Sequence, residues 1–127
     1  MEVILQKQVK IPGPDHPISV ALHTKRVRVK FSGVVVAETS RALVMEERGY
    51  PNVFYVPRED ADQSLLIRTA HSTYCPYKGD ASYFSIRVGD CVSENAIWTY
   101  EAPYDAVGSI KEYLAFYSAR VDSIDEI

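Results

Sequence analysis

The run His71-Ser72-Thr73-Tyr74-Cys75-Pro76-Tyr77-Lys78-Gly79-Asp80 holds the densest set of reactive side chains in the sequence. Cys75 offers a thiol, Lys78 an ammonium three residues on, and His71 a ring that titrates near neutrality. A cation folded against a cysteine favours the thiolate, which is the nucleophile. Cys75 and Lys78 are therefore the candidate catalytic residues, with His71 as a base or proton shuttle. The competing reading is plain packing, since a buried cysteine behaves as a small hydrophobe. A second polar run, Arg58-Glu59-Asp60-Ala61-Asp62, places two carboxylates at a spacing of two. On a strand, Asp60 and Asp62 would point the same way and could hold a divalent ion for nucleotidyl transfer. Just after Pro57, a solvated turn is the simpler reading. Cys75, Cys91, His71, His16 and His23 lack the paired short spacings of a structural zinc site, so no metal is expected. No glycine-rich phosphate loop is present, and no cofactor is expected. The nine tyrosines and one tryptophan are numerous for 127 residues. Tyr55, Tyr77, Tyr83, Trp98 and Tyr100 either fill the core or wall a pocket with phenolic tips.

The elements that must position these groups read mainly as strands. Residues 1–17 form an irregular arm, because three prolines and a glycine fall within 11–17. Residues 18–127 form one β-rich domain. Strict alternation in Arg26-Val27-Arg28-Val29-Lys30-Phe31 sends three cations to one strand face and three apolar side chains to the other. Ser32-Gly33 turns the chain, and Val34-Val35-Val36-Ala37-Glu38-Thr39 returns it. Residues 42–47 fit either a helix or a third strand, with the strand favoured because the meander gives Val44 a neighbour. Further strands are expected at 52–56, 65–69, 82–88 and 96–100, with a long turn over 70–80. Val107, Ile110, Leu114, Tyr117 and Val121 then recur at spacings of three and four, which predicts one C-terminal amphipathic helix. The expected fold class is thus mainly β (α+β), an antiparallel domain closed by that helix.

Composition bounds the function. Apolar residues at 46% and charged residues at 24% are those of a globular domain, not a disordered chain. No apolar run approaches the roughly 20 residues that span a bilayer, so no membrane association is expected. Two cysteines and an N-terminus without a secretory leader predict a cytoplasmic protein with free thiols. Fourteen basic residues against seventeen acidic ones give a net charge of −3, which disfavours nucleic acid as a partner. The charge is polarised: residues 1–33 are basic and residues 101–127 acidic, which fits either two solvated faces of opposite sign, the favoured reading, or ends that attract within the fold or between subunits of a homodimer.

Val53-Phe54-Tyr55-Val56-Pro57-Arg58-Glu59-Asp60, Cys75-Pro76-Tyr77-Lys78-Gly79-Asp80-Ala81-Ser82-Tyr83, Ala96-Ile97-Trp98-Thr99-Tyr100-Glu101-Ala102-Pro103 and Tyr113-Leu114-Ala115-Phe116-Tyr117 together resemble the bacterial and fungal "domain of unknown function 427" family, also labelled nucleotidyltransferase-like family 9. The resemblance spans about residues 18 to 122. It implies a compact tent-like β domain similar to methionine sulfoxide reductase B, although the two Cys-x-x-Cys pairs of the zinc-binding relatives are missing. It implies little about activity. Family motif positions fall on Tyr55, Arg58, Asp60, Cys75, Tyr77, Lys78 and Trp98. They suggest that the Arg58–Asp60 loop and the Cys75–Lys78 turn converge on one pocket walled by Tyr55 and Trp98. Arg58 and Lys78 would there bind a small anionic ligand, Asp60 would orient one of them, and Cys75 would be wall or nucleophile. The alternative is a non-catalytic interaction module that docks through Arg26, Arg28 and Lys30. Nucleotidyl transfer ranks last.

Overall fold

The computed structural model describes residues 7–127, so the first six residues of the expected arm lie outside the described part. Among the described residues ten strands follow one another: β1 (Ile18–Leu22), β2 (Val27–Phe31), β3 (Val34–Thr39), β4 (Leu43–Glu47), β5 (Val53–Tyr55), β6 (Leu66–Cys75), β7 (Gly79–Val88), β8 (Cys91–Tyr100), β9 (Ala115–Phe116) and β10 (Ser123–Glu126). They pair into three antiparallel sheets, ordered β1-β4-β5, β10-β2-β3 and β6-β7-β8-β9. The chain is mainly β, as its alternating patterns predict.

The β2–β3 hairpin turns through Ser32 at φ 50° and Gly33 at φ 76°, the pair of positive φ values that matches the twist of the flanking strands. The ambiguous segment 42–47 is strand β4, paired on one side with β1 and on the other with β5. Acidic β10 lies against basic β2, with Asp125 opposite Arg28.

Two expectations are corrected. The long turn over 70–80 shrinks to Pro76, Tyr77 and Lys78, because β6 continues to Cys75 after a register shift between Arg68 and Ser72. The C-terminal helix does not form. Residues 105–110 and 118–120 make 3-10 turns, Val107 has φ −126° and ψ 26°, and Glu112 sits at φ 65°. The physical reason is that the main chain finds better partners elsewhere: Val56 and Leu114 exchange both backbone hydrogen bonds, Glu112 N–H donates to Tyr100, and Tyr117 N–H donates to Ala96. The apolar period of three and four survives without the helix, and Val107, Ile110 and Leu114 are all buried.

The β6–β9 sheet separates two cores, because side chains alternate across it. Phe84, Ile86 and Ile97 join Val29, Val56 and Leu114 on one side. Ala81, Tyr83 and Tyr100 join Met45, Tyr55 and Ile110 on the other, with Trp98 packed against them. Among the described residues no helix is long and apolar enough to cross a membrane.

Candidate functional site

An open cleft of about 1020 Å³ lies on the Tyr83–Trp98 side of that sheet, with walls contributed by all three sheets. Rings of Tyr55, Tyr77, Tyr83, Trp98, Tyr100 and Tyr117 line it. Trp98 stands edge-on to Tyr55 (centroids 6.4 Å apart, 85°) and packs closer to Tyr117, at 4.5 Å. Burial pushes the phenols of Tyr55 and Tyr100 well above their ordinary range, and Trp98 offsets this only in part at Tyr55. These tyrosines are therefore neutral hydroxyls throughout the physiological range.

The polar centre of the cleft is an ion pair. Lys78 Nζ donates to Glu47 Oε1 at 2.6 Å, with both side chains about nine-tenths buried. The other Glu47 oxygen, Oε2, lies 2.8 Å from His16 Nε2. Burial alone would raise the Glu47 carboxyl, but the hydrogen bonds from Lys78 and His16 outweigh it and hold the group below its usual range. Cys75 is half-buried, its sulfur 3.7 Å from Lys78 Nζ. The tight turn Cys75-Pro76-Tyr77-Lys78 brings thiol and ammonium together, with Lys78 N–H donating to the Cys75 carbonyl. The His16 ring stacks on Tyr77 at 4.2 Å and 7°.

The N-terminal arm holds this end of the cleft. Lys10 N–H donates to the Pro76 carbonyl, Tyr74 Oη donates to the Gln8 carbonyl, and Lys7 Nζ reaches Asp80 at 2.5 Å. The Lys10 ammonium thereby sits 5.8 Å over the Tyr77 ring, at the mouth.

Tyr55, Cys75, Tyr77, Lys78 and Trp98 thus share one cleft, but Arg58 and Asp60 do not line it. The expected convergence of the Arg58–Asp60 loop on the Cys75–Lys78 turn does not occur. Arg58 donates to Thr99 Oγ1 and to the Glu112 carbonyl, both at 3.1 Å, and lies over the Phe84 ring. Thr99 and Phe84 project from the opposite face of the sheet to Trp98 and Tyr83, which puts Arg58 behind the cleft wall. Asp60 accepts from Thr39 Oγ1 and Arg41, while Asp62 accepts from Ser64 and closes its own turn. The two aspartates have separate partners and make no common cation site. Among the described residues no group of three metal-ligating side chains is present.

His71 is exposed and packs against Tyr83 at 4.5 Å, outside the cleft lining. On the strand proposed for docking, Arg26 and Arg28 both engage Glu38.

Arg58 is a tie between β8, the 112 turn and its own loop. Replacing it by alanine removes the donor to Thr99, which is fully buried. Arg58→Ala is expected to lower stability by about 1–3 kcal/mol, read as a fall in the urea midpoint at unchanged slope.

Sequence reasoning missed Glu47, His16 and Tyr117. For Glu47 a signal exists: Met45 faces inward on β4, and period two sends Glu47 the same way, so a carboxylate at an inward strand position asks for a buried partner.

No curated protein matches the sequence. The family model described as "Domain of unknown function (DUF427)" matches residues 19–126. That match covers the strands, the cleft turn and the aromatic wall together, and the chain belongs to the DUF427 family.

Proposed function

We propose that this protein binds a small anionic ligand with a flat apolar body in the aromatic cleft. The supporting observation is the charge balance within the cleft. Its described lining carries the ammoniums of Lys10 and Lys78 against the one carboxylate of Glu47, inside a ring-walled space of about 1020 Å³. An acidic group entering beside Lys78 evens that balance, and a planar body stacks on Trp98 and Tyr117. Cys75 borders the ligand as wall. Lys78 Nζ is 2.6 Å from the Glu47 oxygen and 3.7 Å from the sulfur, so its charge is committed to the carboxylate before the thiol, which argues against thiol catalysis. Arg58 and Asp60 take no part in this reading. Of the three cations in the docking reading, Arg26 and Arg28 are paired with Glu38, which leaves Lys30 to carry it.

Trp98 is the sole tryptophan of the chain and lines the cleft, so its fluorescence reports occupancy. Benzoate is expected to perturb that emission saturably, and to bind more tightly than the neutral benzyl alcohol. The paired variant Glu47→Gln/Lys78→Met, which leaves no buried charge unpartnered, is expected to bind benzoate about tenfold or more weakly, the worth of a charge-assisted hydrogen bond. Equal binding of benzoate and benzyl alcohol by the unaltered protein would refute the anion site.

A further inference from the structure

One polar feature of the cleft lies away from the Lys78 ion pair. Thr73 Oγ1 and Tyr83 Oη are 2.9 Å apart, and Tyr83 Oη and Tyr117 Oη are 3.1 Å apart, so three hydroxyls form one hydrogen-bonded chain. All three residues line the cleft. Each hydroxyl carries one proton, and two links consume two, so one proton must leave the chain at an end. Thr73 is exposed, where water can either accept or donate, whereas Tyr83 in the middle is only 4% exposed and has both neighbours fixed. The chain can therefore run in either direction. With Thr73 donating inward, the Tyr117 hydroxyl offers its proton to the cleft; with the order reversed, Tyr117 Oη offers a lone pair. Tyr117 remains protonated for this purpose, pushed up to about 12 by burial and then by its bond with Tyr83. Its ring packs on Trp98, and the Arg120 guanidinium lies 4.7 Å from the ring centre.

Two residues of β6 border the two polar ends of the cleft. Thr73 and Cys75 pair in regular register with Ala81 and Gly79, on the same face of the strand and about 7 Å apart. Tyr117 Oη stands two hydrogen bonds from Thr73, and Lys78 Nζ lies 3.7 Å from the Cys75 sulfur. Cys75 marks the Lys78 end and Thr73 the hydroxyl end, with aromatic walls between.

We infer that the Thr73–Tyr83–Tyr117 hydroxyl chain is the specificity-determining end of the cleft, and that it selects aromatic acids bearing a hydroxyl or carbonyl oxygen opposite the acidic group. A ligand hydroxyl suits the reversible chain best, because it meets either direction of Tyr117. This inference rests on the anion-binding reading above and deepens it.

The test compares 4-hydroxybenzoate with benzoate by Trp98 fluorescence, since the two differ only in that hydroxyl. The unaltered protein should bind 4-hydroxybenzoate about fivefold more tightly, the worth of one net hydrogen bond. In Tyr117→Phe, which keeps the ring and its stacking, the ratio of the two affinities should fall towards one. Thr73→Val, at an exposed position that tolerates β-branched residues, leaves the Tyr83–Tyr117 link and the outward proton of Tyr117 in place, so the preference should persist there. Equal affinities in the unaltered protein, or a preference that persists in Tyr117→Phe, overturns this inference alone. Absence of saturable binding by either acid overturns the anion-binding reading and this inference with it.

Discussion

Glu47→Ala is expected to destabilise the protein by about 3–5 kcal/mol, the cost of leaving a buried charge without its partner. Lys78 is 8% exposed and its ammonium sits 2.6 Å from the Glu47 carboxylate. Removing the carboxylate strands that cation among aromatic rings, and His16 loses its partner in the same step. Replacing both charged residues, as in Glu47→Gln/Lys78→Met, should recover much of the loss, because well-packed neutral groups escape the desolvation that the ions suffer. The sign of the pH dependence follows from the lowered Glu47 carboxyl. A group whose folded pKa lies below its unfolded one contributes fully at pH values above the unfolded value, near 4.5. That contribution disappears as pH falls through the folded value. Urea unfolding between pH 7 and pH 3 should therefore show the unaltered protein losing its advantage over Glu47→Gln on the acid side. Glu38 and Glu101 are also held low by arginines, so the comparison with Glu47→Gln is what isolates the buried pair.

Much of the fold is legible because period two is a local property. Arg26-Val27-Arg28-Val29-Lys30-Phe31 announces β2, and Val27 and Val29 are indeed buried to 0% and 1% exposure. The cleft is legible in part for the same reason: Trp98 and Tyr100 share a face, and the Cys75-Pro76-Tyr77-Lys78 turn faces it. The same alternation, applied to Thr99, sends the partner of Arg58 to the reverse face, so the split between Arg58 and Lys78 was written in Trp98-Thr99-Tyr100. His16 is different. It lies in a proline-rich arm whose course is set by distant contacts, the Lys10–Pro76 backbone bond and the stack on Tyr77, and no local pattern encodes either. Tyr117 falls in a helical stripe by its spacing, because spacing reports which residues turn inward but not which backbone carries them there.

That distinction gives the second large effect. Leu114→Ala is expected to cost about 2–5 kcal/mol, the range for deleting a fully buried leucine side chain. Leu114 is 0% exposed and packs in the core with Val29, Val56 and Phe116. Its backbone is locked to Val56 by two hydrogen bonds of 2.8 Å, so the site cannot collapse to refill the void. A loss of this size would follow from a helix or from the observed turn-and-strand path, since both bury Leu114. Glu112 separates them. At φ 65° its side chain is strained, and Glu112→Gly relieves that strain while loosening the unfolded chain, so its net effect should be close to zero or stabilising. Inside a helix the same change would cost about 1 kcal/mol. Parallel urea titrations of Leu114→Ala and Glu112→Gly thus read both packing and path: a large loss for the first with none for the second is the signature of the C-terminal segment found here. A loss of about 1 kcal/mol in Glu112→Gly would restore the helix.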